Sequence, residues 1–295
     1  YYLSNPLCDD TLLDMGHLNP HGRFIHVMVN GQYWGVYHLR ERWGASMHSQ
    51  YLGGAPESYE SIVSNKGGGP WSAGLPYDGT GAHWNTMLTK RSDWLGIQPY
   101  LNTAQFIDFM LLFMSGDSEA EQRSVSPNTP GSGFVFYLND ADGWTRTPPD
   151  RTLNEGPDNI MQMLRAQGHP DYKTFVADRI QKHYYNGGAM TQAALLARHD
   201  ARATQLETPF VLEAARWGYR TVDSWVAAKN AYRNSILNTL TTTMISRFKT
   251  YGLLPVTNAP AFNQHGGSGA AGFELTMAGT GSIYYATDNS DPRLP

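Results

Sequence analysis

Apolar and polar positions alternate over Phe24-Ile25-His26-Val27-Met28-Val29 and again over Tyr33-Trp34-Gly35-Val36-Tyr37-His38-Leu39, with Asn30-Gly31 between the two runs. This pattern predicts a β-hairpin over 23–41, because Asn-Gly supplies the positive-φ positions that a tight hairpin turn needs. The glycine-rich stretch 53–81 predicts a long irregular excursion with one strand at Tyr59–Val63. Loops of that length inside a domain often carry function. The period then turns helical at 82–91 and 103–115, with Thr103 as the expected N-cap of the second helix. A strand-like run, Gly133-Phe134-Val135-Phe136-Tyr137-Leu138, follows.

Beyond it the spacing predicts helices over 157–167, 171–186, 191–206, 208–217 and 222–250, punctuated by Gly187-Gly188, Pro209 and Gly218. Ile236, Leu240, Met244, Ile245 and Phe248 share one face of the last helix and read as core. A Pro/Gly/Ser-rich linker is expected over 256–269. After it, Phe273–Met277 and Ser282–Thr287 alternate as strands, a composition shift of the kind that marks a domain boundary. The whole is an α+β pattern: a main domain over 1–255, a linker, and a β segment over 270–295.

Composition narrows the function. The 295 residues are 41% hydrophobic and 12% aromatic, enough for a packed core. With 16% charged residues and a net charge of −4 there is no basic face for nucleic acid. No apolar run approaches the ~18 residues of a membrane span. The opening Tyr1-Tyr2-Leu3 and the closing Asp291-Pro292-Arg293-Leu294-Pro295 read as the ends of an excised fragment, so a missing signal peptide carries no weight. The single cysteine, Cys8, excludes an internal disulfide and a cysteine-based zinc site, and reads as a half-buried thiol. His17, His21 and His26 lack the close pairing of a zinc site.

The candidate chemistry lies in two acidic points. Gly116-Asp117 ends the apolar helix, and 23 residues after Asp117 stands Asp140, in Asn139-Asp140-Ala141-Asp142-Gly143, with one strand expected between them. Helix, Asp-bearing loop, strand, Asp-x-Asp-Gly is the layout of phosphoryl transfer on a kinase-like C-lobe. There one carboxylate orients the attacking hydroxyl and a second holds Mg²⁺ against the phosphates. Asp140 and Asp142, at positions i and i+2, can project to one face, where two carboxylates repel unless a cation lies between them. The alternatives are a solvated loop aspartate at 117 and a plain turn at 140–142. An EF-hand is ruled out, since Leu138 stands where its first ligand belongs.

Val29-Asn30-Gly31-Gln32-Tyr33-Trp34-Gly35-Val36-Tyr37-His38-Leu39-Arg40-Glu41-Arg42 resembles the signature hairpin of the CotH kinase-like family, the spore-coat protein H type of atypical protein kinase. Gly116-Asp117, Asn139-Asp140-Ala141-Asp142 and Glu213-Ala214-Ala215-Arg216-Trp217-Gly218 resemble stretches of its large secreted bacterial members, in the same order, over roughly residues 1–250. Ile283-Tyr284-Tyr285-Ala286-Thr287-Asp288-Asn289-Ser290-Asp291-Pro292-Arg293 is similar to the chitobiase C-terminal type of β-sandwich module.

The resemblance implies an atypical protein-kinase-like fold with a truncated N-lobe and a mainly helical C-lobe, followed by a partial β-sandwich. It implies an extracellular or cell-surface protein that uses ATP and Mg²⁺ or Mn²⁺ to phosphorylate Ser or Thr of protein substrates. Asp117 matches the catalytic-loop aspartate and Asp140 the metal ligand, helped by Asp142. Gln122 stands where kinase catalytic loops carry a metal-binding Asn, and Asn139 where the family usually shows Trp. Glu41 and Arg42 close the hairpin strand where a kinase keeps its phosphate-pairing cation, with an edge salt bridge as the equal alternative. Lys66, in Lys66-Gly67-Gly68-Gly69, is a further phosphate contact, weighed against a plain flexible loop. A second reading is an inactive structural or adhesive module, with structural Ca²⁺ in the acidic loop and a cell-surface polysaccharide as partner of the C-terminal module. A third is a carbohydrate-active enzyme, for which no spaced carboxylate pair speaks. Trp34 and Trp217 read as packing residues.

Overall fold

The computed structural model describes residues 2–64, 75–116, 122–138, 141–145, 150, 157–288 and 290–293, with the side chains of 64, 122, 142, 145 and 158 left out of the description. In chain order the elements are α1 (Ser4–Asp14), β1 (Gly22–Val29), β2 (Gln32–Arg40), α2 (Ala45–Leu52), β3 (Tyr59–Ser64), β4 (Leu75–Asp78), α3 (Ala82–Thr89), α4 (Trp94–Ile97), α5 (Thr103–Met114), β5 (Gln122–Pro127) and β6 (Val135–Leu138). The second half holds α6 (Ile160–Gln167), α7 (Pro170–Tyr184), α8 (Gln192–Trp217), α9 (Val222–Ala231) and α10 (Asn238–Thr250), then the short β7 (Ala261–Phe262) and β8 (Met277–Ala278). This is the mixed helix and sheet content that the pattern predicts.

The hairpin forms as expected. β1 and β2 pair antiparallel from Gly22↔Arg40 to Val29↔Gln32, and Asn30 (φ 50°) and Gly31 (φ 79°) make the turn. A separate antiparallel sheet has the order β4-β3-β5-β6. β5 corrects the expectation of a single strand between the two acidic points, since β5 and β6 form a hairpin there. Its sequence, Gln122-Arg123-Ser124-Val125-Ser126-Pro127, has only one apolar side chain, so alternation alone could not reveal it.

α5 is the centre of the core. Gln105 to Met114 are all buried, apolar but for Gln105 and for Asp108, whose carboxylate pairs with Arg179. Asn102, one residue before the expected cap, accepts from the Gln105 main-chain N–H. The Gln105 side chain then binds β6 twice, donating to Phe136 O at 2.7 Å and accepting from Phe136 N at 2.8 Å. A single buried amide thereby fixes helix and sheet in one register.

Two helix boundaries differ from expectation. α8 runs through Pro209, where the sequence suggested a break. The proline removes one main-chain donor, yet Leu206 and Phe210, buried on either side of it, hold the helix to the core. The expected helix over 222–250 contains a π-helical turn at Tyr232–Leu237, and Leu240, Met244 and Phe248 are buried on its inner face as expected. Near the C-terminus, β7 and β8 pair over two residues each, and β7 comes from the stretch read as linker. Phe273–Thr276 and Ser282–Thr287 do not enter a ladder among the described residues. Tyr284 and Tyr285 are largely exposed, so alternation found no sheet to pair with.

Several histidines are buried neutral, which sets an acid limit on stability. Burial lowers His48 to about 4, and His48 Nε2 lies 2.6 Å from the Tyr137 hydroxyl. Burial, with help from Arg202 and Arg40, lowers His38 to about 4 as well, and His83 and His199 are also lowered, both by burial first. Below their ordinary value of 6.5 the unfolded chain takes up protons that the folded chain refuses, so stability rises with pH across that window. Asp9, raised to about 6 by burial, works in the opposite direction but is one group against several. Unfolding free energy is therefore expected to fall between pH 7 and pH 5, and His48→Phe to remove about 2 kcal/mol of that dependence, as read from urea denaturation at a series of pH values.

Candidate functional site

Main-chain geometry brings the flanks of the two acidic points together. α5 ends at Ser115-Gly116, and the Trp144 indole packs so closely there that a Cβ at Gly116 would fall within its ring. Trp144 Nε1 donates to Leu112 O, and Tyr232, in the π-helical turn, donates its hydroxyl to Trp144 O. The 3₁₀ turn Asp142–Thr145 is thus clamped on the C-terminal end of α5. From the other side, β5 begins at Gln122 opposite Leu138, the last residue of β6. Gly116, Gln122, Leu138 and Ala141 therefore bound one end of the sheet and one end of the central helix.

Two groups from α1 and β2 hold the chain on both sides of Asn139-Asp140. Asn5 Oδ1 accepts from the Ala141 N–H at 3.0 Å. Arg40 donates through Nη2 to Leu138 O at 3.0 Å and to Asp9 Oδ1 at 2.7 Å, and its Nε lies 2.6 Å from Asp9 Oδ2. Asp9 is buried and also accepts from Asn19 Nδ2 at 2.7 Å. A planar guanidinium matches both carboxylate oxygens at once, which a lysine cannot do. The result is a partly buried cation on the hairpin, paired to an acid on a helix and fastened to the main chain at the last residue of β6.

Arg42, the candidate phosphate-pairing cation, lies beside this pair and is engaged elsewhere in the structure. Arg42 lies over the Tyr77 ring at 4.9 Å, and Arg123 covers Trp43 at 4.6 Å. Glu41, just past the end of β2, turns to other partners. It accepts from His21 N at 2.9 Å and the Tyr51 hydroxyl at 2.7 Å, which corresponds to the edge-pairing alternative for this residue. Asp117, Asp140 and Lys66 lie outside the described residues. Gln122 and Asp142 are described by their main chain alone, at the head of β5 and at the start of the 3₁₀ turn. Among the described residues no group of three or more His, Cys, Asp or Glu side chains is placed to hold a metal ion. Cys8 is fully buried, and burial pushes its thiol up, which fits a packing residue.

Asp9, Asn5 and Arg40 escaped the sequence reading. Arg40 stood inside the hairpin motif without being singled out. α1, Ser4–Asp14, has apolar residues around most of its circumference and no marked stripe, so no helix was expected there.

The hairpin motif and Glu213-Ala214-Ala215-Arg216-Trp217-Gly218 prove to be two halves of one joint. Glu213 Oε2 accepts from Val36 N at 2.8 Å, Arg216 Nε donates to Tyr33 O at 2.9 Å, and Trp217 Nε1 donates to Trp34 O at 2.9 Å. Gly35 has φ 148°, and a Cβ there would come within 2.7 Å of Glu213 Oε2. Gly35→Ala is expected to cost about 2–4 kcal/mol through backbone strain and crowding, read as a lower urea midpoint. Trp34 and Trp217 pack edge to face at 5.3 Å on the surface and not in the core.

A family model described as CotH kinase protein matches residues 1–59, the stretch that carries α1, the hairpin and α2, with Asp9 and Arg40. The chain is thus similar to a kinase-type family over that segment. No curated protein matches the chain.

Proposed function

We propose that this chain is an atypical protein kinase, transferring phosphate from ATP to Ser or Thr hydroxyls of proteins outside the cell. The observation that carries the reading is the Arg40–Asp9 pair anchored on Leu138 O, which joins the family-matched segment to the acidic loop. In this reading Asp117 orients the acceptor hydroxyl and takes its proton. Asp140, Asp142 and Gln122 form an oxygen-only donor set, which suits Mg²⁺ or Mn²⁺. The ion would supply charge neutralisation at the phosphate oxygens. Arg40 is a positioning residue in this reading, because its Nη2 donates to both Asp9 and Leu138 O. Asn5 positions the other side of the acidic loop. Gln122 heads the strand that opens opposite Leu138, so its main chain begins where Asp140's flank ends.

A ligand that binds the folded chain alone must raise its melting temperature. ATP with Mg²⁺ is expected to do so, by an amount that grows with nucleotide concentration, while ATP with EDTA is not. Equal melting temperatures with and without Mg·ATP would favour the inactive structural module, in which the Arg40–Asp9 pair only fastens α1 to the hairpin.

A further inference from the structure

A pocket lies between β2 and the end of α8. It has a volume of about 430 Å³ and is walled by Tyr2, Tyr37, Trp217 and Tyr219, with His38 and Glu213 among its polar groups. Tyr37, Trp217 and Tyr219 are exposed, at 47%, 40% and 61%, so ring surface is open to solvent at the mouth. Glu213 is 5% exposed. Its carboxylate accepts from the Tyr2 hydroxyl at 2.6 Å and from Val36 N, but no Lys, Arg or His nitrogen among the described residues lies within 4.0 Å of it. Arg216, the nearest cation in sequence, is spent on Tyr33 O and on the Trp217 ring at 4.7 Å. Arg220 lines the neighbouring pocket with Tyr2, Tyr219 and Trp225.

A buried carboxylate is normally paired with a cation, since two hydrogen bonds offset only part of its lost hydration. Aromatic faces attract cations as well, and most strongly organic ones that shed water easily. We infer that the pocket of Tyr2, Tyr37, Trp217, Tyr219 and Glu213 binds a small alkylammonium ion. The rings would take its methyl or methylene surface, and Glu213 would supply the missing opposite charge. Burial and the Glu213 carboxylate both hold the Tyr2 phenol protonated, so it donates to Glu213 and leaves the acid as the pocket's only negative group. A sugar would use the same rings but has no need of an unpaired carboxylate.

The test is titration of the full chain with choline chloride, followed by Trp fluorescence and calorimetry. The expected result is saturable binding at one site, with 3,3-dimethylbutan-1-ol, the uncharged analogue of choline, binding about ten-fold more weakly or not at all. Tyr219→Ala, at an exposed ring whose hydroxyl meets the Tyr2 hydroxyl at 2.9 Å, should weaken choline about five-fold without lowering the melting temperature. Glu213→Gln keeps the shape and removes the charge, and should weaken it further. Phosphatidylcholine vesicles that sediment with the chain would place the ammonium on a lipid head group; choline binding without sedimentation would place it on a dissolved amine. Equal affinity for the uncharged analogue, saturable binding of glucose or N-acetylglucosamine at this pocket, or choline binding indifferent to Tyr219→Ala and Glu213→Gln would each overturn the proposal. Its outcome is independent of phosphoryl transfer, since none of Asp117, Gln122, Asp140, Asp142, Arg40 and Asp9 lines this pocket.

Discussion

Asp140→Asn is expected to abolish phosphoryl transfer and to weaken Mg·ATP binding together. The substitution keeps the size of the side chain and removes its charge, so the donor set loses the group that a hard divalent cation needs most. Asp117→Asn is expected to behave differently, lowering kcat by two to four orders of magnitude, about the worth of a general base, with nucleotide affinity nearly intact. A residue that acts only on the attacking hydroxyl changes the transition state and leaves the bound ground state alone. Initial-rate kinetics with nucleotide titration separate the two signatures. Equal effects of both variants on affinity would place both carboxylates in the metal site.

Arg40→Ala should produce the largest loss of stability, about 3–5 kcal/mol, because it leaves the buried Asp9 without its guanidinium, held by Asn19 Nδ2. The double variant Asp9→Asn, Arg40→Met removes both charges and should recover much of that loss. It should not recover phosphoryl transfer, since Leu138 O would still lack the guanidinium that fastens the acidic loop to the hairpin. Recovery of both would reduce Arg40 to a structural tie, and recovery of neither would show a joint failure of folding. Chemical denaturation and rate measurements on the same three proteins decide among these outcomes.

The hairpin was legible in the sequence because Asn30-Gly31 and the flanking alternation leave the backbone little choice. α5 was legible because an apolar run of that length can only be buried. The β5–β6 hairpin was half hidden: β6 is apolar throughout, whereas β5 alternates serine with arginine and valine and is made a strand by its neighbours β3 and β6. Pro209 misled because the loss of one main-chain donor is local, while the packing of Leu206 and Phe210 is shared with the whole core. At the end of the hairpin the sequence offers both Arg40 and Arg42 and does not tell which of them reaches Leu138 O. Arg40 and Arg42 differ only in what lies opposite, and Asp9 and Leu138 are 31 and 98 residues away from Arg40. The Glu213 to Trp217 motif, likewise, explains itself only once its three donors and acceptors meet Tyr33, Trp34 and Val36 across the fold.

The account stands most directly on one measurement: transfer of label from γ-labelled ATP to a Ser- and Thr-bearing acceptor protein, with Mg²⁺ or Mn²⁺, by the parent chain and by Asp140→Asn. The expected result is phosphoserine or phosphothreonine formed by the parent, none by the variant, and none by either in EDTA. Label at the same level with parent and variant, or no label from a folded parent that also fails to bind Mg·ATP, would contradict it.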